Sequence, residues 1–199
     1  MIKPTALILL LFSMASHAQQ DEGSTEQIYK NLRSAESLFS LEQDAEIKKG
    51  GFPLFMESKN SNERWRLQNV LETRADAGDS VASFYMGVVT SEFGAMWNRQ
   101  KKTKSGNDEY EKAIGFYKKA CAAGLANGCW NVADIYVNGV GQTTSGLAAA
   151  EWFYKAGVGY LANGERERAL AALESIQKID GKHLLGKKLD AQLQKGAPK

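Results

Sequence analysis

Histidine is nearly absent from this chain: His17 and His183 are the only two in 199 residues. His17 falls in a segment that reads as a cleavable signal. His183 alone is then left for chemistry, which removes most metal sites and His-based triads from consideration. Long apolar runs are missing as well. Beyond the first 18 residues nothing approaches the ~18 consecutive apolar residues of a membrane span. Charge of one sign is also lacking, since 25 Lys and Arg against 23 Asp and Glu leave a net of +2. That balance does not supply the dominant positive face of a general nucleic-acid binder. Proline is limited to three residues while glycine reaches 19. Such a ratio suits helices ended by glycine, with no low-complexity linker between them.

The N-terminus carries the pattern of an export signal. Lys3 supplies the positive region, Ala6 to Phe12 the short apolar run, and Ser16-His17-Ala18 the small-x-small triplet. Cleavage is expected before Gln19, giving a periplasmic or secreted protein with no membrane insertion after processing. No cysteine stands at the junction, so a lipobox anchor is not expected.

What is present is a repeated helical signature. Ala75-Asp76-Ala77-Gly78, with Ala82 and Met86-Gly87, matches Cys121-Ala122-Ala123-Gly124, with Gly128 and Val132-Ala133, at a distance of 46 residues. Phe153-Tyr154-Lys155-Ala156 matches Tyr117-Lys118-Lys119-Ala120 at a distance of 36. Periods in this range, filled with Ala, Gly and aromatics, predict an all-α stack of helical hairpins. Ser24-Thr25-Glu26-Gln27 reads as a capping box. It opens a helix with Ile28, Leu32, Ala35, Leu38 and Phe39 on one stripe, stopped by Lys48-Lys49-Gly50-Gly51. Phe52 to Phe55 follows as an apolar connector within residues 19–60. Ser61 or Asn62 is expected to cap a helix through Trp65, Leu67 and Leu71 to Ala77, and a third helix begins near Asp79. Further helices are expected over 108–122, 125–137 and 145–161, with repeats filling 61–179. About ten extra residues separate the two helices of the earlier repeat, which predicts an inserted surface loop over 94–107. Residues 180–199 read as a capping helix and tail, with Leu184, Leu185 and Leu189 on its apolar stripe and lysines opposite.

Residues 62 to 179 resemble Sel1-like repeats, relatives of the tetratricopeptide family. Ser145, Ala149, Trp152-Phe153 and Lys155-Ala156 reproduce the family's capping residue, Ala, aromatic pair and Lys-Ala. The resemblance implies a right-handed α-solenoid that binds other proteins, as assembly adaptors do, or as envelope immunity proteins do with antibacterial effectors. Cys121 and Cys129, with Gly124 and Gly128 allowing a turn between them, are similar to the staples of the cysteine-rich secreted branch. The resemblance therefore implies a disulfide in an exported chain, two buried free thiols being the alternative.

Candidate chemistry is sparse. Ser175-Ile176-Gln177-Lys178 matches the Ser-x-x-Lys pattern of penicillin-recognising enzymes, but Ile176 takes a core position and no Ser-Asp-Asn or Lys-Thr-Gly element accompanies it. An envelope enzyme or binder of β-lactam or peptidoglycan-like ligands is the alternative to a non-enzymatic binding protein. Gly139-Val140-Gly141 and Gly157-Val158-Gly159 lack the third glycine of a dinucleotide site. No catalytic residue, cofactor or metal is expected. Two surfaces are candidates for a partner protein. Trp97 with Arg99, Lys101 and Lys102 places an aromatic among cations, a composition typical of binding hot spots. Phe84 and Trp130, at equivalent positions with Asp134 nearby, form either an aromatic ladder on a concave face or ordinary inter-helix packing.

Overall fold

In the computed structural model, which describes residues 23–33, 59–141 and 144–195, every regular element among the described residues is helical. The order is α1 (25–33), α2 (Lys59–Asp76), α3 (Ser80–Arg99), α4 (Thr103–Ala122), α5 (Ala126–Asn138), α6 (Gly146–Ala162), α7 (Arg166–Ile179) and α8 (Leu184–Lys195). The chain divides into two compact units, Met1–Thr73 and Arg74–Lys199. In the first, the Ser24 hydroxyl accepts from the Gln27 amide at 3.2 Å, as its capping position requires. Ile28, Leu32, Leu67 and Leu71 are buried. Helix α2 begins at Lys59, so Ser61 and Asn62 lie inside it rather than capping it. The expectations for the signal segment, for Ala35, Leu38 and Phe39, and for positions 48–55 lie outside the described residues.

The second unit is organised by one turn used repeatedly. After α2, α4 and α6 the chain passes through Gly78, Gly124 and Gly164, with φ of +96°, +91° and +78°. Each glycine amide donates to the carbonyl three residues back, and the next amide to the carbonyl five back: Ala75 and Arg74, Cys121 and Ala120, Leu161 and Tyr160. This is the Schellman motif, which satisfies two orphan carbonyls and needs a left-handed residue where only glycine is unstrained. The next helix then starts at once. Asp79 caps α3 by accepting from Val81 and Ala82 at 2.9 and 3.0 Å. Ser145 caps α6 by accepting from Ala148 at 3.3 Å.

Consecutive helices pack side by side from α3 to α8, and α6 also touches α8. The interfaces are built from alanines with larger side chains between them. Ala133, Ala149, Ala150, Ala156, Ala169 and Ala172 let the helices approach, and Phe153, Tyr160, Ile176, Leu189 and Leu193 fill the space they leave. A second cluster joins Tyr110, Ala113, Ile114 and Tyr117 of α4 to Val132 and Ile135 of α5.

Residues 94–107 are not an inserted loop. The extra length is absorbed as helix, with α3 and α4 each running 20 residues, against 13 in α5 and 17 in α6. Gly94 and Gly106 are interface positions. A Cβ on Gly94 would lie 2.8 Å from the Tyr110 ring and 3.1 Å from the Gly106 carbonyl oxygen. The α3–α4 turn is a fourth Schellman motif, with amides of Lys101 and Lys102 donating to Asn98 and Trp97. Here the left-handed position is Lys101, at φ +61°. The α8 stripe also differs from expectation. Leu189 and Leu193 are buried with Gly186, whereas Leu184 is 64% exposed because it stands at the first, unpacked turn.

Candidate functional site

Cys121 and Cys129 are bonded, with Cα atoms 4.9 Å apart. Cys121 sits in the last turn of α4 and Cys129 in the first turn of α5, so the bridge clamps the Schellman turn at Gly124. Gly128 makes this possible. A Cβ there would lie 2.6 Å from the Tyr117 carbonyl oxygen and 2.8 Å from the Cys121 nitrogen. The two helices therefore meet backbone to backbone beside the bridge.

The predicted partner residues fall in three places. Trp97 and Arg99 lie in the last turn of α3, with Lys101 and Lys102 in the turn that follows. The Lys102 ammonium stands 4.6 Å from the centre of the half-buried Trp97 ring. Phe84 and Trp130 are half-buried and face equivalent partners. Phe84 meets Tyr117 of the next helix at 5.9 Å, and Trp130 meets Phe153 edge-on at 4.9 Å. Both rings thus serve inter-helix packing. Asp134 stands apart from them, exposed on α5.

Around Asp134 the structure assembles a groove of about 410 Å³ between α3 and α5, in which polar side chains alternate with Ala95, Ile135 and Val140. Ser91 and Glu92 come from α3, Asn131, Asp134 and Asn138 from α5, and Tyr110 and Tyr117 of α4 reach it from between them. Ser91 donates to the Tyr117 hydroxyl at 3.4 Å. Asn138 donates to the Asp134 carbonyl at 3.0 Å. Burial pushes the Tyr110 phenol above its ordinary 10.0, and the Arg99 charge partly offsets this. Asn127, Asn131, Asp134 and Asn138 follow one another at four, three and four residues on α5, a single polar stripe. That spacing was readable in the sequence. The α3 and α4 residues that complete the groove were not, because they come from other helices.

At the N-terminal end of the same stripe, Asn127 ties three helices together. Its Oδ1 accepts from the Tyr160 hydroxyl of α6 at 2.7 Å and from Arg168 of α7 at 3.3 Å. Arg168 also pairs with Glu165 at 2.9 Å. Compared with family models, curated proteins and solved structures, the chain matches none.

The remaining candidates are occupied by structural roles. The Ser175 hydroxyl donates to the Ala171 carbonyl at 2.9 Å, an ordinary bond one helical turn back. His183 Nδ1 accepts from the Leu185 amide at 3.2 Å and so caps α8. Among the described residues no group of three or more His, Cys, Asp or Glu is placed to hold a metal ion. No helix among them is long and apolar enough to cross a membrane.

Proposed function

We propose that this chain is a Sel1-like α-solenoid, exported to the periplasm, that works by binding another protein. The observation that carries the reading is the groove between α3 and α5. It exposes amide, carboxylate and hydroxyl groups over two buried tyrosines, and the Asp134 carboxylate has no ion-pair partner among the described residues. Groups of this kind can pair with the backbone and side chains of an extended segment laid along the helices. The recurrence of the Schellman turn and of the Phe84–Tyr117 and Trp130–Phe153 pairs supports a repeat architecture, in which neighbouring units build a continuous binding face. An envelope adaptor and an immunity protein against an antibacterial effector are the two uses that the Sel1-like resemblance brings.

A photo-crosslinking residue at Asn131, in protein expressed in its own envelope, tests this. One stoichiometric protein adduct is expected, lost on Asp134→Lys and absent when the crosslinker stands at exposed Lys178. An adduct indifferent to Asp134→Lys would move the site away from the groove, and turnover of a β-lactam or peptidoglycan fragment would replace the reading altogether.

A further inference from the structure

A second open groove, of about 490 Å³, lies between α4 and α6, with the disulfide on its wall. Its lining is mainly apolar and includes Trp152 and Val158. Two cations stand over one ring. The Lys155 ammonium is 3.9 Å from a Trp152 ring centre, and that of Lys118 is 5.6 Å from one. Both lysines are exposed, and neither pairs with a carboxylate among the described residues. Lys119, their neighbour, does pair, with Asp76 at 3.0 Å. The disulfide joins α4 to α5 at this wall and so holds the groove's shape.

We propose that this groove docks an acidic segment of a partner protein, one that carries an aliphatic or aromatic side chain between carboxylates. Charge chooses the occupant. Two ammonium groups without counter-charge beside apolar surface match a segment with the opposite sign and an apolar tip. Shape narrows it further, because small-molecule sites enclose most of their ligand whereas this groove is open along its length. A protein segment gains from such a surface by seating one side chain against an aromatic anchor. On docking, the lysines move from the indole to the partner's carboxylates. An exposed cation–π contact is weak enough for that exchange, and it frees the Trp152 face for the apolar side chain. This surface shares no residue with the α3–α5 groove, and it does not rest on the function proposed for that groove.

The test uses the oxidised full-length mature protein and a capped hexapeptide with glutamates flanking a single leucine. Its counterpart has lysines in place of the glutamates. Binding is followed by NMR amide and indole shifts and by calorimetry at low salt. The acidic peptide is expected to shift the Trp152 indole N–H and the Val158 amide, and the basic peptide to leave them unmoved. Lys118→Glu with Lys155→Glu should weaken the acidic peptide at least tenfold, about 1.4 kcal/mol, with unchanged circular dichroism. Asp134→Lys should leave this binding intact, which separates the two grooves. Equal affinity for both peptides, shifts confined to other surfaces, or full affinity in the double variant would overturn the proposal. Sedimentation showing a dimer that the double variant breaks would assign the groove to a second copy of this chain, and would overturn it equally.

Discussion

Gly128 and Gly115 are both helical glycines, and the space around them sets opposite outcomes for the same substitution. At Gly128 an added Cβ meets the backbone of α4, which cannot rotate away, whereas at Gly115 nothing lies within 4 Å. Gly128→Ala should therefore cost about 1–3 kcal/mol through overpacking and hinder closure of the disulfide. Gly115→Ala should gain about 0.5–1 kcal/mol by removing backbone freedom from the unfolded chain. Urea midpoints of the two variants check the pair, and midpoints moving in one direction would refute the packing argument. Tyr160 supplies a pH dependence. Burial pushes its phenol above 10.0; the Arg168 charge lowers it and that of Glu165 raises it. The same direction holds for Tyr110. A raised folded pKa means that the unfolded chain loses these protons first. The stability they contribute is complete below pH 10 and is lost as the pH climbs through the folded values. Melting temperature should hold steady on the approach to pH 10 and fall above it, and Tyr160→Phe should flatten that fall. The same variant removes the bond to Asn127 and should cost ~1 kcal/mol at neutral pH.

At the scale of elements, the turn between α3 and α4 is the informative case. It repeats the hydrogen-bond pattern of the three glycine turns with Lys101 in the left-handed position. A β-carbon in that conformation is strained, so Lys101→Gly should stabilise the protein by about 0.5–1 kcal/mol, read as a higher melting temperature. No gain would mean that the Lys101 side chain makes a compensating contact. Because the flanking residues are helical, shortening 94–107 should lower helicity rather than leave it unchanged. The disulfide acts at the same scale. By constraining a short loop of the unfolded chain, it contributes about 2–3 kcal/mol. Cys129→Ser should keep the helical circular dichroism and lower the melting temperature by roughly 10 °C. A larger collapse would show that α4 and α5 do not hold together by packing alone.

For the molecule as a whole, the bonded cysteines fit the export proposed for it. The cysteines are bonded, and a bond of this kind persists in an oxidising compartment. Protein recovered from the envelope should begin at Gln19 by intact mass, and after denaturation without reductant it should take up no thiol label. Two labelled thiols would place the mature chain in a reducing compartment. The two grooves also give the molecule opposite polar characters in different places. Glu92 and Asp134 line one, and Lys118 and Lys155 the other. A net charge of +2 conceals this separation.

Local chemistry made much of the fold legible in the sequence alone. Gly78 and Gly124 mark helix ends because only glycine sits unstrained at φ near +90°. Asp79 and Ser145 mark helix starts because their short side chains reach the first amides. The spacing of Ile176, Leu173 and Ala169 identifies a buried face without reference to any other helix. Where the left-handed position is Lys101, that signal vanishes, and residues 94–107 then read as an inserted loop although Gly94 and Gly106 are contact points between helices. The Asn131–Asp134–Asn138 stripe could be read from one helix. The groove it belongs to could not, nor could the meeting of Lys118 with Trp152, since each needs side chains from separate helices. Periodicity records which face of a helix is buried. Only the packing of one helix on another decides which exposed residues share a surface, because that depends on where the small residues let the backbones meet.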